Sequence, residues 1–326
     1  MYRKLGCLLV LWCLMMTTNI MAQSMDRDAW LQSLKAQAMR EGIRADLFDQ
    51  LLGHWQPKTK VIRLDRSQPE KRITFESYRK TRANAGRIHY GRRAWRKHGT
   101  MMTEIGKHYG VDPCVIAAIW GIETSYGHYM GKFPVVASLA TLAYDGRRAE
   151  FFRKELLLAL HIVNDGHVSP YHFVGEWAGG SGHPQFLPSS WLTYAQDYNG
   201  DGQKDIWGTL SDVFASIANY LKENGWQANG APWAVHVIAP EQAMLQQGFK
   251  NAQHVQAWRA LGVVDIKGRP LPDSPYKVAL IQLEGGPLIL AYQNFSVIMR
   301  YNRSVYYAGT VSYLADRICR RPSIYN

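Results

Sequence analysis

The chain has 326 residues, 47% of them hydrophobic and 20% charged, a balance that supports a sizeable buried core and excludes a disordered or low-complexity protein. Thirty-eight lysines and arginines stand against 26 acids, a net charge of +12 that suits an anionic partner. Four cysteines are too few for a disulfide framework.

The first residues are basic at Arg3 and Lys4, apolar from Leu5 to Met16, then polar, and end in Ile20-Met21-Ala22. This pattern predicts a secretory signal peptide over residues 1–22, too short to be a permanent membrane span. Cys13 follows Trp12, whereas a lipoprotein site requires a small residue before the cysteine, so a soluble, periplasmic protein is expected. Cleavage leaves a charge of about +10, suited to the cell wall or a membrane surface, and export rules out nucleic acid as a partner. It also leaves only Cys114 and Cys319, which either pair in an oxidising compartment or serve as small apolar residues.

From Asp26 to Leu52 the periodicity is helical, interrupted at Gly42. In the basic segment from Lys58 to Lys71, β-branched Val61 and Ile62 suggest extended structure. The arginine-rich stretch from Phe75 to His98 reads as a solvated amphipathic helix, and Met101 to Tyr109 is helical again.

The next helix is the informative one. Asp112 is an N-cap with Pro113 at the first helical position, and Gly127 supplies the predicted stop. Val115, Ile116, Ile119 and Ile122 form its apolar stripe. Glu123 falls four residues after Ile119 and seven after Ile116, on that same face. Desolvation there would keep its carboxyl protonated near neutrality, as a general acid requires. Periodicity alone supports equally an acid and an ion-paired glutamate.

Further on, residues 134–144 are small and apolar, and residues 147–163 form an amphipathic helix. Glycines break the pattern between Gly175 and Ser190, where backbone can approach a ligand closely. Helix resumes from Trp191 to Tyr198. Asp197, Asn199, Asp201 and Asp205, with Gly202 between, match the front of an EF-hand loop, but its twelfth position is Gly208. Spacing supports a weak calcium site, with Asp212 as a substitute ligand, and a plain turn equally. A helix follows from Asp212 to Trp226. Between Ala231 and Asn294 lies a strand pair, Tyr276 to Leu283 and Pro287 to Tyr292, joined through Glu284-Gly285-Gly286. Helix returns after Ser304.

These motifs occur together in order: Gly121-Ile122-Glu123-Thr124-Ser125-Tyr126-Gly127, Ala140-Thr141-Leu142-Ala143-Tyr144, Arg147-Arg148-Ala149-Glu150, Gln185-Phe186-Leu187-Pro188-Ser189-Ser190, Asn199-Gly200-Asp201-Gly202, Ala218-Asn219-Tyr220 and Arg300-Tyr301-Asn302. The set resembles the lytic murein transglycosylase B family, glycoside hydrolase family 103, over nearly the whole mature chain. The resemblance implies a mainly α (α+β) fold. Its units would be an N-terminal α domain over 23–110, a lysozyme-like catalytic core over 111–230, a small β subdomain over 231–300 and a closing C-terminal helix over 301–326.

It further implies cleavage of the MurNAc-GlcNAc β-1,4 bond of peptidoglycan with formation of 1,6-anhydro-MurNAc ends. Glu123 would serve as acid and then base. Tyr78, Gln185, Tyr220, Tyr301, Asn302 and Tyr307 would bind glycan. Asp197, Asn199, Asp201, Asp212 and Gln203 would hold a structural calcium, and the chemistry itself needs no cofactor. Peptidoglycan strands are the implied partner, with other cell-wall enzymes as further ones. The chain departs from the family pattern at Glu176, where serine is usual, and at Gly180-Ser181. Beside the substrate, Glu176 would offer a second carboxylate and so a muramidase; an altered loop without catalysis would leave a wall-binding scaffold.

Overall fold

The computed structural model describes residues 26–67, 73–228 and 232–322. The predicted signal peptide lies outside them. Three short helices open the described chain: α1 (Arg27–Arg40), α2 (Ala45–Leu52) and α3 (Thr59–Arg66). The expectation of extended structure at Val61 and Ile62 is overturned by α3. Val61 is buried against the second core, and Asp65, also buried, accepts hydrogen bonds from the Arg147 and Arg148 guanidinium groups. Burial of one helix face outweighs β propensity there.

The arginine-rich stretch divides into α4 (Phe75–Arg82) and α5 (Ala85–Tyr109). Thr74 and Asn84 cap them, each side chain accepting an amide of the first turn. Gly110, left-handed at φ 70°, ends α5. Then comes α6 (Pro113–Thr124), whose N-cap Asp112 accepts the Cys114 amide as expected. It stops earlier than Gly127, because Ser125 and Tyr126 already take positive φ, at 52° and 64°. Ten of its twelve residues are buried, so α6 is enclosed on all sides and not along a single stripe.

The chain continues through β1 (Phe133–Pro134), α7 (Val135–Asp145), α8 (Ala149–Asn164), β2 (Val174–Gly175), α9 (Pro188–Tyr194) and α10 (Leu210–Glu223). Strands β1 and β2 pair antiparallel, with Phe133 opposite Gly175. Helix α9 ends at Tyr194, short of the predicted Tyr198. Next come β3 (Ala234–Ile238), α11 (Glu241–Met244), β4 (Gln253–His254), α12 (Val255–Ala260), β5 (Val264–Asp265), β6 (Lys277–Gln282) and β7 (Leu288–Ala291). The strand order is β4-β6-β7-β3-β5, every pair antiparallel, and the hairpin foreseen from sequence is β6–β7. Two helices close the chain, α13 (Gln293–Tyr301), which the sequence reading missed, and α14 (Val305–Ile318).

Buried side chains fall into three clusters. One joins α5, α6, α10, α13 and α14. A second joins α1–α3 with α7–α9. The third lies under the sheet around Trp258. The β6–β7 hairpin braces the start of α4: the Phe75 amide donates to the Glu284 carbonyl at 2.7 Å. A Cβ on Gly286 would come within 2.6 Å of the Phe75 ring, so the turn needs glycine to approach so closely. Cys114 and Cys319 form a disulfide that fastens α6 to the end of α14, with Cα atoms 6.2 Å apart.

Candidate active site

Glu123 occupies the last turn of α6 and is half-buried. Opposite it stands Tyr307, in the first turn of α14, where Ser304 caps the helix by accepting the Tyr307 amide. The Tyr307 hydroxyl donates to Glu123 Oε1 at 2.5 Å. Burial pushes the Glu123 carboxyl up to about 7, while the Tyr307 hydrogen bond and the positive charges of Arg82 and Arg87 pull it back. A carboxyl poised there is half protonated at neutrality, ready to give a proton and to take one back.

Tyrosines and one phenylalanine line a wall next to this acid. The Tyr301 ring, at the end of α13, lies nearly parallel to that of Tyr307, centroids 6.2 Å apart, and is 4.7 Å from Tyr220. Phe186 fills the angle between Tyr220 and Tyr301. The hydroxyls are anchored by backbone carbonyls: Tyr301 donates to Pro184 at 2.6 Å and Tyr220 to Arg300 at 2.8 Å. Burial and the charge on Glu123 push the Tyr301 and Tyr307 phenols well above their usual range. They remain neutral donors at any working pH. Tyr78, on α4, senses the Glu123 charge as well, and burial raises its phenol.

Gln185 follows the carbonyl that holds Tyr301 and takes a positive φ of 53°. Its Nε2 donates to the carbonyls of Met130 and Gly182, at 3.2 and 2.8 Å. Its Oε1 is buried with no hydrogen-bond partner. An acceptor held in this way is a ready point for a sugar hydroxyl or amide N–H. Asn302, just after α13, is exposed with an extended backbone.

Glu176 is partly exposed in a turn closed by its amide to the Gly180 carbonyl and by the Gly179 amide to its own carbonyl. It is not among the groups that shift Glu123. The structure thus gathers Tyr78, Gln185, Tyr220, Tyr301 and Tyr307 about the acid and its aromatic wall.

Several residues of this region were missed in the sequence. The Trp120 indole donates to His183 Nδ1 at 2.8 Å, and the Thr124 hydroxyl reaches the His183 carbonyl at 3.3 Å, so the glycine-rich loop is tied directly to α6. Burial pushes His183 down to about 4, and it stays neutral, as the acceptor role of Nδ1 requires. Arg87 Nη2 donates to the Ser125 hydroxyl at 2.8 Å, and the Tyr126 hydroxyl donates to the Arg87 carbonyl at 3.0 Å. The signal for Arg87 was present only as one arginine among many.

In the Asp197–Asp205 loop, Asp197 accepts the amides of Gly200, Asp201 and Gly202, and Asp201 accepts that of Gln203. Asn199 Nδ2 donates to Asp201 Oδ2 at 2.8 Å, so these two side chains meet. Asp212 is fully buried and its two oxygens accept the Tyr198 and Asp205 amides. Among the described residues, no three His, Cys, Asp or Glu side chains stand close enough to hold a metal. An all-oxygen set at Asp197, Asn199 and Asp201 nevertheless fits a hard cation chemically.

Residues 26–316 match the family described as Transglycosylase SLT domain. The chain is 34% identical to membrane-bound lytic murein transglycosylase B of Escherichia coli (strain K12) over 249 residues, 74% of this chain and 66% of that one. Among solved structures, SltB3 of Pseudomonas aeruginosa in complex with NAG-anhNAM-pentapeptide superposes with a TM-score of 0.85 at 38% identity, covering 90% of this chain and 79% of that one. The E. coli lytic transglycosylase Slt35 in complex with calcium gives 0.77 at 29% identity, covering 89% and 92%.

Proposed function

The chain belongs to the transglycosylase SLT family, and from that premise we propose that it is a lytic transglycosylase, cleaving the MurNAc-GlcNAc bond of exported peptidoglycan and closing the product as a 1,6-anhydro end. The carrying observation is a carboxyl held near 7 and hydrogen-bonded by one tyrosine, with no carboxylate, among the described residues, in the set of groups that shift it. Hydrolysis of a glycoside by water ordinarily needs two.

Protonated Glu123 delivers its proton to the leaving glycosidic oxygen. The substrate's own acetamido group shields the positive anomeric carbon. The carboxylate, now steadied by the Tyr307 hydroxyl and the charges of Arg82 and Arg87, takes the proton of the C6 hydroxyl as that oxygen closes the ring. Because nucleophile and electrophile belong to one sugar, the step has the advantage of an intramolecular reaction. Tyr301, Tyr307 and Tyr220 give sugar rings flat apolar faces, Gln185 Oε1 accepts from the glycan, and exposed Asn302 stands at the rim. Tyr78, whose ring lies 6.0 Å from that of Tyr306, would add a further aromatic face for the glycan. Peptide stems on the glycan enter the site with it. Residues 111–230 form the catalytic core of this reading, supported by the α and β units around it.

Export to the periplasm follows from the nature of the substrate, and among the described residues no helix is long and apolar enough to cross a membrane. Calcium, when bound, would be held by Asp197, Asn199, Asp201 and the Gln203 carbonyl, with Asp212 anchoring the loop, and would stabilise the fold without entering the reaction.

Mass analysis of digested, purified peptidoglycan tests the activity. Anhydro products are expected, with release reduced at least about a thousandfold in Glu123→Gln. Reducing ends heavier by one water would replace this reading with a muramidase, and binding without fragments would replace it with a scaffold.

A further inference from the structure

A cavity of about 900 Å³ opens where the loop from His167 to His172 faces residues 203–208, and Met130 and the β1–β2 ribbon complete its wall. Neither Glu123 nor any tyrosine of the aromatic wall lines it. Two of its residues nevertheless hold the candidate active site through their backbone. The Met130 carbonyl accepts Gln185 Nε2 at 3.2 Å. Trp207 follows Ile206, whose carbonyl accepts the His183 amide at 2.9 Å, and the Trp207 backbone hydrogen-bonds the His183 ring. His183 in turn accepts the Trp120 indole N–H and the Thr124 hydroxyl, which flank Glu123 on α6.

The lining has a definite chemistry. Among the described residues no lysine or arginine reaches it, in a chain of net charge +12. Its one carboxylate, Asp205, is occupied by its own turn, accepting the Trp207 and Gly208 amides and the Thr209 hydroxyl, each at 2.9 Å. An anionic ligand therefore meets no permanent counter-charge there. The cavity offers aromatic faces and neutral polar groups instead. Tyr171 is 86% exposed, a flat apolar face left in water. The Trp207 indole N–H is buried and, among the described residues, has no hydrogen-bond partner, so it is a donor that an incoming oxygen would satisfy. Exposed Gln203 and His172 add further polar groups. Aromatic faces beside uncharged donors and acceptors suit a pyranose, whose C–H face stacks while its hydroxyl and acetamido groups hydrogen-bond. Resting on the transglycosylase reading, we propose that this cavity is an effector site for an uncharged N-acetylglucosamine unit of a glycan strand outside the cleft, and that its occupation steadies Gln185 through Met130 and the Glu123 helix through Trp207 and His183. The enzyme then turns over faster when surrounded by glycan than on an isolated fragment.

The probe is N,N′,N″-triacetylchitotriose, a neutral glycan without stems. Calorimetric titration of Gln185→Ala, whose cleft is impaired, should still show binding, and Tyr171→Ala added to it should weaken that binding about tenfold. With a short peptidoglycan tetrasaccharide as substrate, saturating chitotriose should raise kcat of the wild type by about fivefold, whatever it does to KM by competing in the cleft, and should leave kcat of Tyr171→Ala unchanged. Binding that is indifferent to Tyr171 would overturn the proposal. So would a wild-type kcat that does not rise. If the wild type releases no anhydro ends from any substrate while chitotriose binding still depends on Tyr171, the transglycosylase reading fails and the saccharide site stands.

Discussion

Glu123 carries its proton to about pH 7 in the folded chain, against an ordinary carboxyl value of 4.5, and on the proposed reading this ties stability to catalysis. Below about pH 4.5 the group is protonated whether the chain is folded or not, so it costs nothing. As pH rises from there through 7, the unfolded chain releases the proton first, and folding loses up to ~3 kcal/mol. Glu123→Gln removes that penalty. It should therefore match wild type in thermal melting at pH 4 and exceed it by ~2–3 kcal/mol at pH 8; a gap independent of pH would contradict the assignment. Tyr307→Phe acts in the opposite chemical sense. Loss of the 2.5 Å donor destabilises the carboxylate, so the alkaline limb of the pH–rate profile should move upward by on the order of one unit, with kcat lowered about 10- to 100-fold. An unmoved limb would make the tyrosine only a packing residue. Helical spacing placed Glu123 on a buried face in the sequence, yet left its role undecided, because its partner arises from a helix that no local pattern connects to it.

Caps were the legible parts of the elements, and ends set by packing were not. Asp112-Pro113 announces the start of α6 because a side-chain acceptor and a fixed φ act within a few residues. Its end depends on α5. The Tyr126 hydroxyl reaches the Arg87 carbonyl through space left by Gly91 and Gly121, where a Cβ would come within 2.3 and 2.5 Å of that oxygen. The Asp197–Asp205 loop shows the same limit: its spacing admits a turn or a cation site, and its amide bonds alone satisfy the turn. Differential scanning with calcium and then chelator decides between them. A site that binds should raise the melting point with calcium, by ~2–3 kcal/mol at a hundredfold excess over Kd, and lose that gain with Asp201→Ala. An unchanged melt would leave a turn only.

At the scale of the molecule, the acid and its tyrosine come from positions 184 residues apart, and the disulfide that fastens their helices spans 205. Closing so long a loop restricts the unfolded chain, so Cys114→Ser with Cys319→Ser should cost on the order of 2–5 kcal/mol, read as a lower denaturant midpoint with similar slope. If the double variant matches oxidised wild type, the bond contributes nothing. Two lone cysteines beyond the predicted signal peptide allowed pairing without requiring it. The sheet hairpin was visible as alternating strands flanking Glu284-Gly285-Gly286, but its bracing of α4 through Phe75 was not, since it depends on contacts distant in sequence.

The late position of Tyr307 has a consequence for synthesis. A ribosome that has delivered everything up to Ser304 has already made the acid, the glycine-rich loop and most of the aromatic wall. The chain lacks the hydroxyl that steadies Glu123 and the cysteine that pins its helix. On the proposed reading, broken or prematurely released chains therefore carry Glu123 without the hydroxyl and the disulfide that hold it, and should cut far more slowly than chains that have their final helix.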